Sequence, residues 1–191
     1  AVTLTLTFLY ALAYINLYSQ DHSASRMSRW ILDQVPPGSV IAQEHWDEAI
    51  RGLPEAGYLV PLLPLYEPDN LSKVSRLARE LEGADSLAIY SERLYVSTSR
   101  LEERYPITRR YYQLLFSGEL GFEPVRVEAS YPNFLGFSLV NDTTRFLGLE
   151  APPSVTRAAS TPWQVDLGFA QESFVAYDHP KVILFQKVEE R

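Results

Sequence analysis

The chain has 191 residues, 46% of them hydrophobic, which predicts one sizeable core and argues against a repeat protein or a disordered chain. Its formal net charge of −7 argues against nucleic acid as a partner, because phosphate backbones are bound by clustered Lys and Arg side chains. The sequence contains no cysteine, which excludes disulfides, thiolate catalysis and cysteine-based zinc sites.

The first 20 residues, AVTLTLTFLYALAYINLYSQ, carry no charged side chain. About 20 apolar residues cross a hydrocarbon core as a helix, and Tyr10, Tyr14 and Tyr18 recur every four residues, as in an interfacial aromatic belt. Residues 1–20 therefore predict the end of a transmembrane helix in a piece of a larger membrane protein. A buried strand is the alternative, because Thr and Leu alternate over residues 3–7. A basic segment and a cleavage site are missing, which disfavours a secretory signal peptide.

Residues 21–47 predict a helix, a Pro-Pro-Gly-Ser turn and a buried strand. Apolar residues at helical spacing form one face: Met27, Trp30, Ile31 and Val35. Pro36 and Pro37 end the helix, and the sequence SVIAQ over residues 39–43 predicts the strand. A polar cluster follows it: Glu44, His45, Trp46 and Asp47. Open α/β sheets bind ligands beyond the carboxyl ends of their strands, so this cluster lies where a site is expected.

Alternating strands and helices continue along the chain. We expect an extended run over residues 58–66, a helix from Asp69 to Gly83, a strand over 86–91 that ends at Glu92, Arg93 and Tyr95, a helix from Pro106 to Phe116 and a half-exposed strand over 123–130. Residues 131–171 predict a long loop, and residues 173–188 a hairpin. This order predicts an α/β fold over residues 21–191, a layered sandwich with a mixed, mostly parallel sheet, preceded by the N-terminal hydrophobic helix.

Two groups of side chains are candidates for binding. Glu44, His45 and Asp47 suit a polar ligand or a metal, but alternation along a strand separates Glu44 from the other two, which weakens the metal interpretation. A plain strand end is the other explanation. Arg109, Arg110 and Tyr112 combine guanidinium groups with an aromatic ring, which suits a phosphate or a sugar. An amphipathic helix with a solvated basic face is the favoured explanation of these three side chains. Since no phosphate-binding glycine motif occurs, we expect no cofactor.

Three segments together resemble a known family: SRWILDQVPPGSVIAQEHWD, RYPITRRYYQLLFSGELGF and ESFVAYDHPKVILFQK. They resemble the carboxyl-terminal region of polytopic membrane proteins of the glycosyltransferase-39-like class (dolichyl-phosphate-mannose mannosyltransferase-like, GT-C). The resemblance implies a polyprenyl-phosphate-sugar-dependent transferase whose acidic catalytic residue lies in an early extracytoplasmic loop, outside this chain. It therefore assigns no catalytic residue here, and the 191 residues alone are expected to be inactive.

Three functional hypotheses follow. The first is the extracytoplasmic tail of a cell-membrane glycosyltransferase, which covers the active site or helps to select an acceptor glycan, with the parent's own membrane body and the polyprenyl-phosphate sugar as partners. The second is a non-catalytic interaction module that docks a neighbouring protein or subunit through residues 131–171 or through the edge of a strand. The third is an independent hydrolase that uses Glu44 or His45.

Overall fold

The computed structural model of the protein describes residues 1–45, 48–156, 161–176 and 178–188. The helices in these ranges are α1 (Val2–Ile15), α2 (Ser23–Gln34), α3 (Leu71–Gly83), α4 (Arg93–Ser99), α5 (Pro106–Ser117), α6 (Thr143–Phe146), α7 (Pro153–Thr156) and α8 (Glu172–Val175). The strands are β1 (Ile41–Glu44), β2 (Leu62–Leu63), β3 (Ser86–Ile89), β4 (Phe122–Glu128), β5 (Asn133–Phe134), β6 (Phe137–Val140), β7 (Trp163–Asp166) and β8 (Val182–Lys187). A 3-10 helix, Asn16–Ser19, continues α1.

The larger sheet is mixed. Within the described residues it contains five strands in the order β2-β1-β3-β8-β4. β1 pairs in parallel with β2 and β3, whereas β8 pairs antiparallel with β3 and β4. The carboxyl ends of β3 and β4 therefore lie at the same edge as the start of β8. The α/β class and the mixed sheet are as the sequence predicts.

Helices pack against both faces of this sheet. On one face Met27 and Ile31 of α2, both fully buried, pack with side chains of β1, β3 and β8. On the other face α3 and α5 contribute Leu77, Leu115 and Phe116 to a second apolar cluster. The predicted apolar stripe of α2 is thus confirmed, with Trp30 and Val35 partly buried at its margin.

The α1 helix is apolar and mostly exposed. Only Ala13 among its 14 residues is buried, and Leu4 and Phe8 are 76% and 63% exposed. The stretch Val2–Gln34 contains a segment long and apolar enough to cross a membrane, a property that signal sequences and core helices share. The helix is confirmed, and the strand alternative for residues 3–7 is wrong.

The prediction of a long loop over residues 131–171 is wrong. In this region, described except for residues 157–160, β5, β6 and β7 form a small separate sheet in which β6 pairs with both neighbours. Its strands have two to four residues, which is too short to produce a visible alternation in the sequence.

Two further predictions need correction. The hairpin over residues 173–188 is replaced by the short helix α8 followed by β8. In β4, the alternation of Val125 with the charged Arg126 predicts that Val125 faces the core, but Val125 is 43% exposed because the pairing with β8 shifts by one residue between Pro124 and Arg126. Such a bulge breaks the inward and outward alternation.

The helix predicted from Asp69 is capped by Asn70 and begins at Leu71. The Asn70 Oδ1 atom accepts a hydrogen bond from the Lys73 backbone N–H at 2.9 Å. Asp69 instead pairs with the buried Lys73 ammonium group at 2.6 Å.

We expect Asn70→Ala to lower the free energy of unfolding by about 1 kcal/mol, because one backbone N–H loses its acceptor. Urea unfolding of both chains measures the loss of stability. The control variant Asn70→Asp keeps an acceptor oxygen, so its stability should be close to that of the natural chain.

Candidate functional site

Glu44 and Tyr112, two of the predicted binding residues, meet inside the protein. The Tyr112 hydroxyl group of α5 donates a hydrogen bond to the Glu44 carboxylate at the end of β1. Glu44 is 4% exposed, and Tyr112 is fully buried. Burial, together with the negative charge of Glu44, raises the pKa of Tyr112 well above its ordinary value. This pair ties α5 to the sheet, and its contact with a ligand stays a prediction.

The other predicted residues lie apart from that pair. His45 is exposed, and its backbone N–H donates to the Leu63 carbonyl oxygen at 3.2 Å, which extends the β1–β2 pairing. Arg109 donates to the Ser99 carbonyl oxygen at 3.0 Å and pairs with Glu102, so it braces the connection between α4 and α5. Arg110 is exposed on the surface of α5. Asp47 and Trp46 lie outside the described residues. The ligand roles of His45, Arg109 and Arg110 stay predictions.

A different group of polar side chains is buried at the edge where β3 ends and β8 begins. We call it the edge cluster: Glu92, Asn141, Glu172 and Lys181. The Lys181 ammonium nitrogen lies 3.1 Å from Glu92 Oε1, and the Asn141 amide donates to Glu92 Oε2 at 2.7 Å. The four side chains come from four different segments, which the cluster joins.

Glu172, the first residue of α8, is the fourth member of the edge cluster. Its Oε1 atom accepts hydrogen bonds from the backbone N–H groups of Glu92 and Lys181, at 3.1 and 3.2 Å. Burial raises the pKa of Glu172 to about 8, and the Glu92 carboxylate adds to the rise, whereas the N–H bonds and the Arg93 guanidinium group oppose it. Burial alone would lower the pKa of Lys181, but Tyr131 and Glu92 outweigh that effect and raise it. The cluster therefore holds Lys181 charged and favours the neutral form of Glu172.

An open cleft of about 260 Å³ adjoins the edge cluster. We call it the α4 cleft, and its polar lining includes Arg93, Ser97, Arg100, Thr143, Gln171 and Ser173. The Arg93 Nε atom lies 3.3 Å from Glu172 Oε2, and the exposed Arg100 guanidinium group lies 5.3 Å from the centre of the Phe169 ring. Guanidinium, hydroxyl and amide groups around one opening can bind a phosphate or the hydroxyl groups of a sugar.

A second cleft, of about 590 Å³, lies between the start of α2 and residues 48–51. His22, Arg29, Arg51 and Tyr90 are among its lining residues. Burial and the nearby His179 lower the pKa of His22 below its ordinary value. Across the described ranges, no three His, Asp or Glu side chains are placed to hold a metal ion.

The sequence indicates part of this site but does not predict a role for it. Glu92 and Arg93 lie at the carboxyl end of a predicted strand, where ligands bind in open α/β sheets. Lys181 lies in the turn of the predicted hairpin, and Glu172 directly precedes that hairpin. The available signal was a lysine directly before VILF, a buried strand sequence, because a charge in that position needs a buried partner.

Comparison with known proteins gives one partial match. No protein-family model and no solved structure match the chain. A segment is 37% identical over 71 residues to a tRNA (guanine-N(1)-)-methyltransferase of Nitratidesulfovibrio vulgaris, strain Hildenborough. The match covers 37% of this chain and 16% of that protein, so the chain spans about a sixth of the relative's length.

Proposed function

We propose that this chain is the tail domain, with its connecting helix, of a membrane-bound glycosyltransferase-like protein that uses a polyprenyl-phosphate sugar. The tail lies on the extracytoplasmic side of the cell membrane, flanks the active site of the parent protein and helps to bind the acceptor. The chemical step belongs to the parent's membrane body. The resemblance of three sequence segments to the GT-C class suggests this function, and the edge of the sheet at which α1 joins the domain supports it.

The α1 helix leaves at the edge of the sheet that bears the edge cluster. Gln20, just beyond the 3-10 helix, accepts a hydrogen bond from Ser130 at 3.3 Å through its side chain, and its carbonyl oxygen contacts the His179 ring at 3.3 Å. Ser23 then donates to the Pro180 carbonyl oxygen at 2.6 Å. Ser130 follows the end of β4, and Pro180 precedes β8. An α1 helix in a membrane would therefore turn the edge cluster and the α4 cleft toward that membrane.

The α4 cleft has the chemistry that this function needs. Arg93 and Arg100 can bind a phosphate, and Ser97, Thr143 and Ser173 can bind sugar hydroxyl groups. The finer fold assignment belongs to the same proposal: we interpret the sheet, with helices on both faces, as a layered α/β sandwich in which β8 runs against a mostly parallel set of strands. The 71-residue match covers too little of the tRNA methyltransferase to carry that activity here, and the net charge of −7 disfavours RNA.

Two variants of the parent protein test the proposal. Removal of residues 21–191, with α1 retained, should reduce sugar transfer from the polyprenyl-phosphate donor or widen the range of acceptors.

Arg100→Ala should raise the KM of the substrate that binds in the α4 cleft about tenfold, because one charge-assisted hydrogen bond is lost. Initial rates in membranes, measured against donor and acceptor concentration, report both effects.

Arg79→Ala is the matched control, because Arg79 is an exposed arginine of α3 whose ionic partner is its neighbour Glu80. It should leave KM unchanged. Equal rates and equal acceptor ranges with and without residues 21–191 would contradict any role of the tail in substrate binding.

A further inference from the structure

We propose that the β5–β6 hairpin contacts the membrane beside α1. In this arrangement the Leu135 side chain lies at the boundary between the lipid headgroups and the hydrocarbon. This inference depends on the proposed function only in requiring that α1 lies in a bilayer. It adds a site at which the domain itself touches lipid, and it thereby sets the orientation of the domain on the membrane.

The exposed apolar surface of α1 extends around the helix. Leu6 and Ile15 are 61% and 63% exposed. They are nine residues apart, and at about 100° per residue they lie on opposite sides of the helix axis. A docked protein covers one stripe of a helix, whereas a helix that is apolar all round requires apolar surroundings on every side. Lipid hydrocarbon satisfies that requirement.

The hairpin lies along the same helix. The Asn16 side-chain amide, just beyond α1, donates to Asn133 Oδ1 of β5 at 2.6 Å. Beyond this contact, an apolar groove of about 470 Å³ separates α1 from the hairpin, lined by Leu6, Leu9, Tyr10, Phe134, Leu135 and Leu139. The groove continues the apolar surface of α1 onto the hairpin, so a bilayer around α1 would reach the hairpin tip.

The hairpin also lacks charge. Residues 131–141, YPNFLGFSLVN, contain no charged side chain in a chain that is 21% charged. Leu135 is 81% exposed, and Phe137 beside it is 52% exposed. Trp163 of β7 stacks on Phe137, with 6.0 Å between the ring centres, and is itself 62% exposed. An aromatic rim of this kind is typical of membrane interfaces.

The conformation of Leu135 supports a functional role. Leu135 and Gly136 at the hairpin tip both have positive φ angles, 50° and 85°. Tight hairpins of this type favour Asn-Gly, because a branched apolar residue is strained in the left-handed region. In water, both the strain and the exposure of Leu135 are unfavourable. Contact with lipid offsets them, which explains an apolar residue at this position.

The natural absence of cysteine permits a direct test. The 191-residue chain carries a single cysteine at one position, Leu135→Cys or Phe137→Cys, is labelled with an environment-sensitive fluorophore and is reconstituted into phosphatidylcholine nanodiscs. Nitroxide-labelled lipids then report depth by quenching. Leu6→Cys on α1 is the embedded reference, and Leu32→Cys, 46% exposed on α2, is the aqueous reference.

We expect lipid quenching at both hairpin positions, with a depth of about 5–10 Å for Leu135, strong quenching at Leu6 and none at Leu32. If Leu6 is quenched and the hairpin positions behave like Leu32, the hairpin contact is wrong while the membrane role of α1 stands. A blue-shifted but unquenched label at Leu135 would mean that protein covers the hairpin, and this also overturns the inference. If Leu6 is not quenched either, the membrane anchor of the proposed function fails with it.

Discussion

Replacement of Lys181 by methionine is expected to lower the free energy of unfolding by about 3–5 kcal/mol, because it leaves the Glu92 carboxylate buried without its cation. Lys181 and Glu92 are 5% and 2% exposed, so water cannot replace the lost partner. The Asn141 amide bond to Glu92 remains, but a neutral amide does not compensate a full charge. Urea unfolding of the 191-residue chain in detergent micelles, followed by tryptophan fluorescence, measures the loss.

The double variant Glu92→Gln/Lys181→Met separates the loss of the ion pair from a general packing defect. The glutamine side chain would keep an oxygen for the Asn141 amide, and no uncompensated charge would remain. We therefore expect the double variant to be more stable than Lys181→Met alone. Strictly additive losses from the two single substitutions would mean that the two charges do not interact, and would refute the interpretation of the edge cluster as an ion pair.

The stability of the protein should fall as the pH rises from 5 to 8, and Glu172 should account for about 3–4 kcal/mol of this decrease. The pKa of Glu172 is raised from 4.5 to about 8 in the folded protein. Between these two values the folded state retains a proton that the unfolded state has lost, so the stabilising effect is complete below pH 4.5 and is lost as the pH approaches 8. Unfolding midpoints and slopes across this range report the effect.

Glu172→Gln tests the assignment, because glutamine resembles the protonated side chain and keeps an oxygen for the backbone N–H groups of Glu92 and Lys181. Its stability should vary with pH by about 3–4 kcal/mol less than that of the natural chain. The exposed Glu119, changed to glutamine, is the matched control and should leave the pH dependence as it is. An unchanged dependence in Glu172→Gln would show that another group is responsible.

The sequence alone determined the elements whose signals are local. The apolar stripe of α2, the stop at Pro36 and Pro37, the start of α5 at Pro106 and its end at Gly118, where φ is +80°, all follow from the spacing of apolar residues and from backbone restrictions. The uncharged residues 1–20 form α1 and its 3-10 extension for the same reason. These features depend on neighbours within a few positions, so the order of residues is sufficient to locate them.

Only the tertiary structure decided where the candidate site lies. Glu92 and Lys181 are 89 positions apart, and they meet because β8 pairs antiparallel with β3, a choice that no local pattern reveals. The same strand, β8, pairs with β4 across the bulge that exposes Val125. The small sheet of β5, β6 and β7 has strands too short for periodicity to detect. Because of this long-range strand pairing, the candidate site lies where β3 ends and β8 begins, and not at the end of β1 as the sequence predicts.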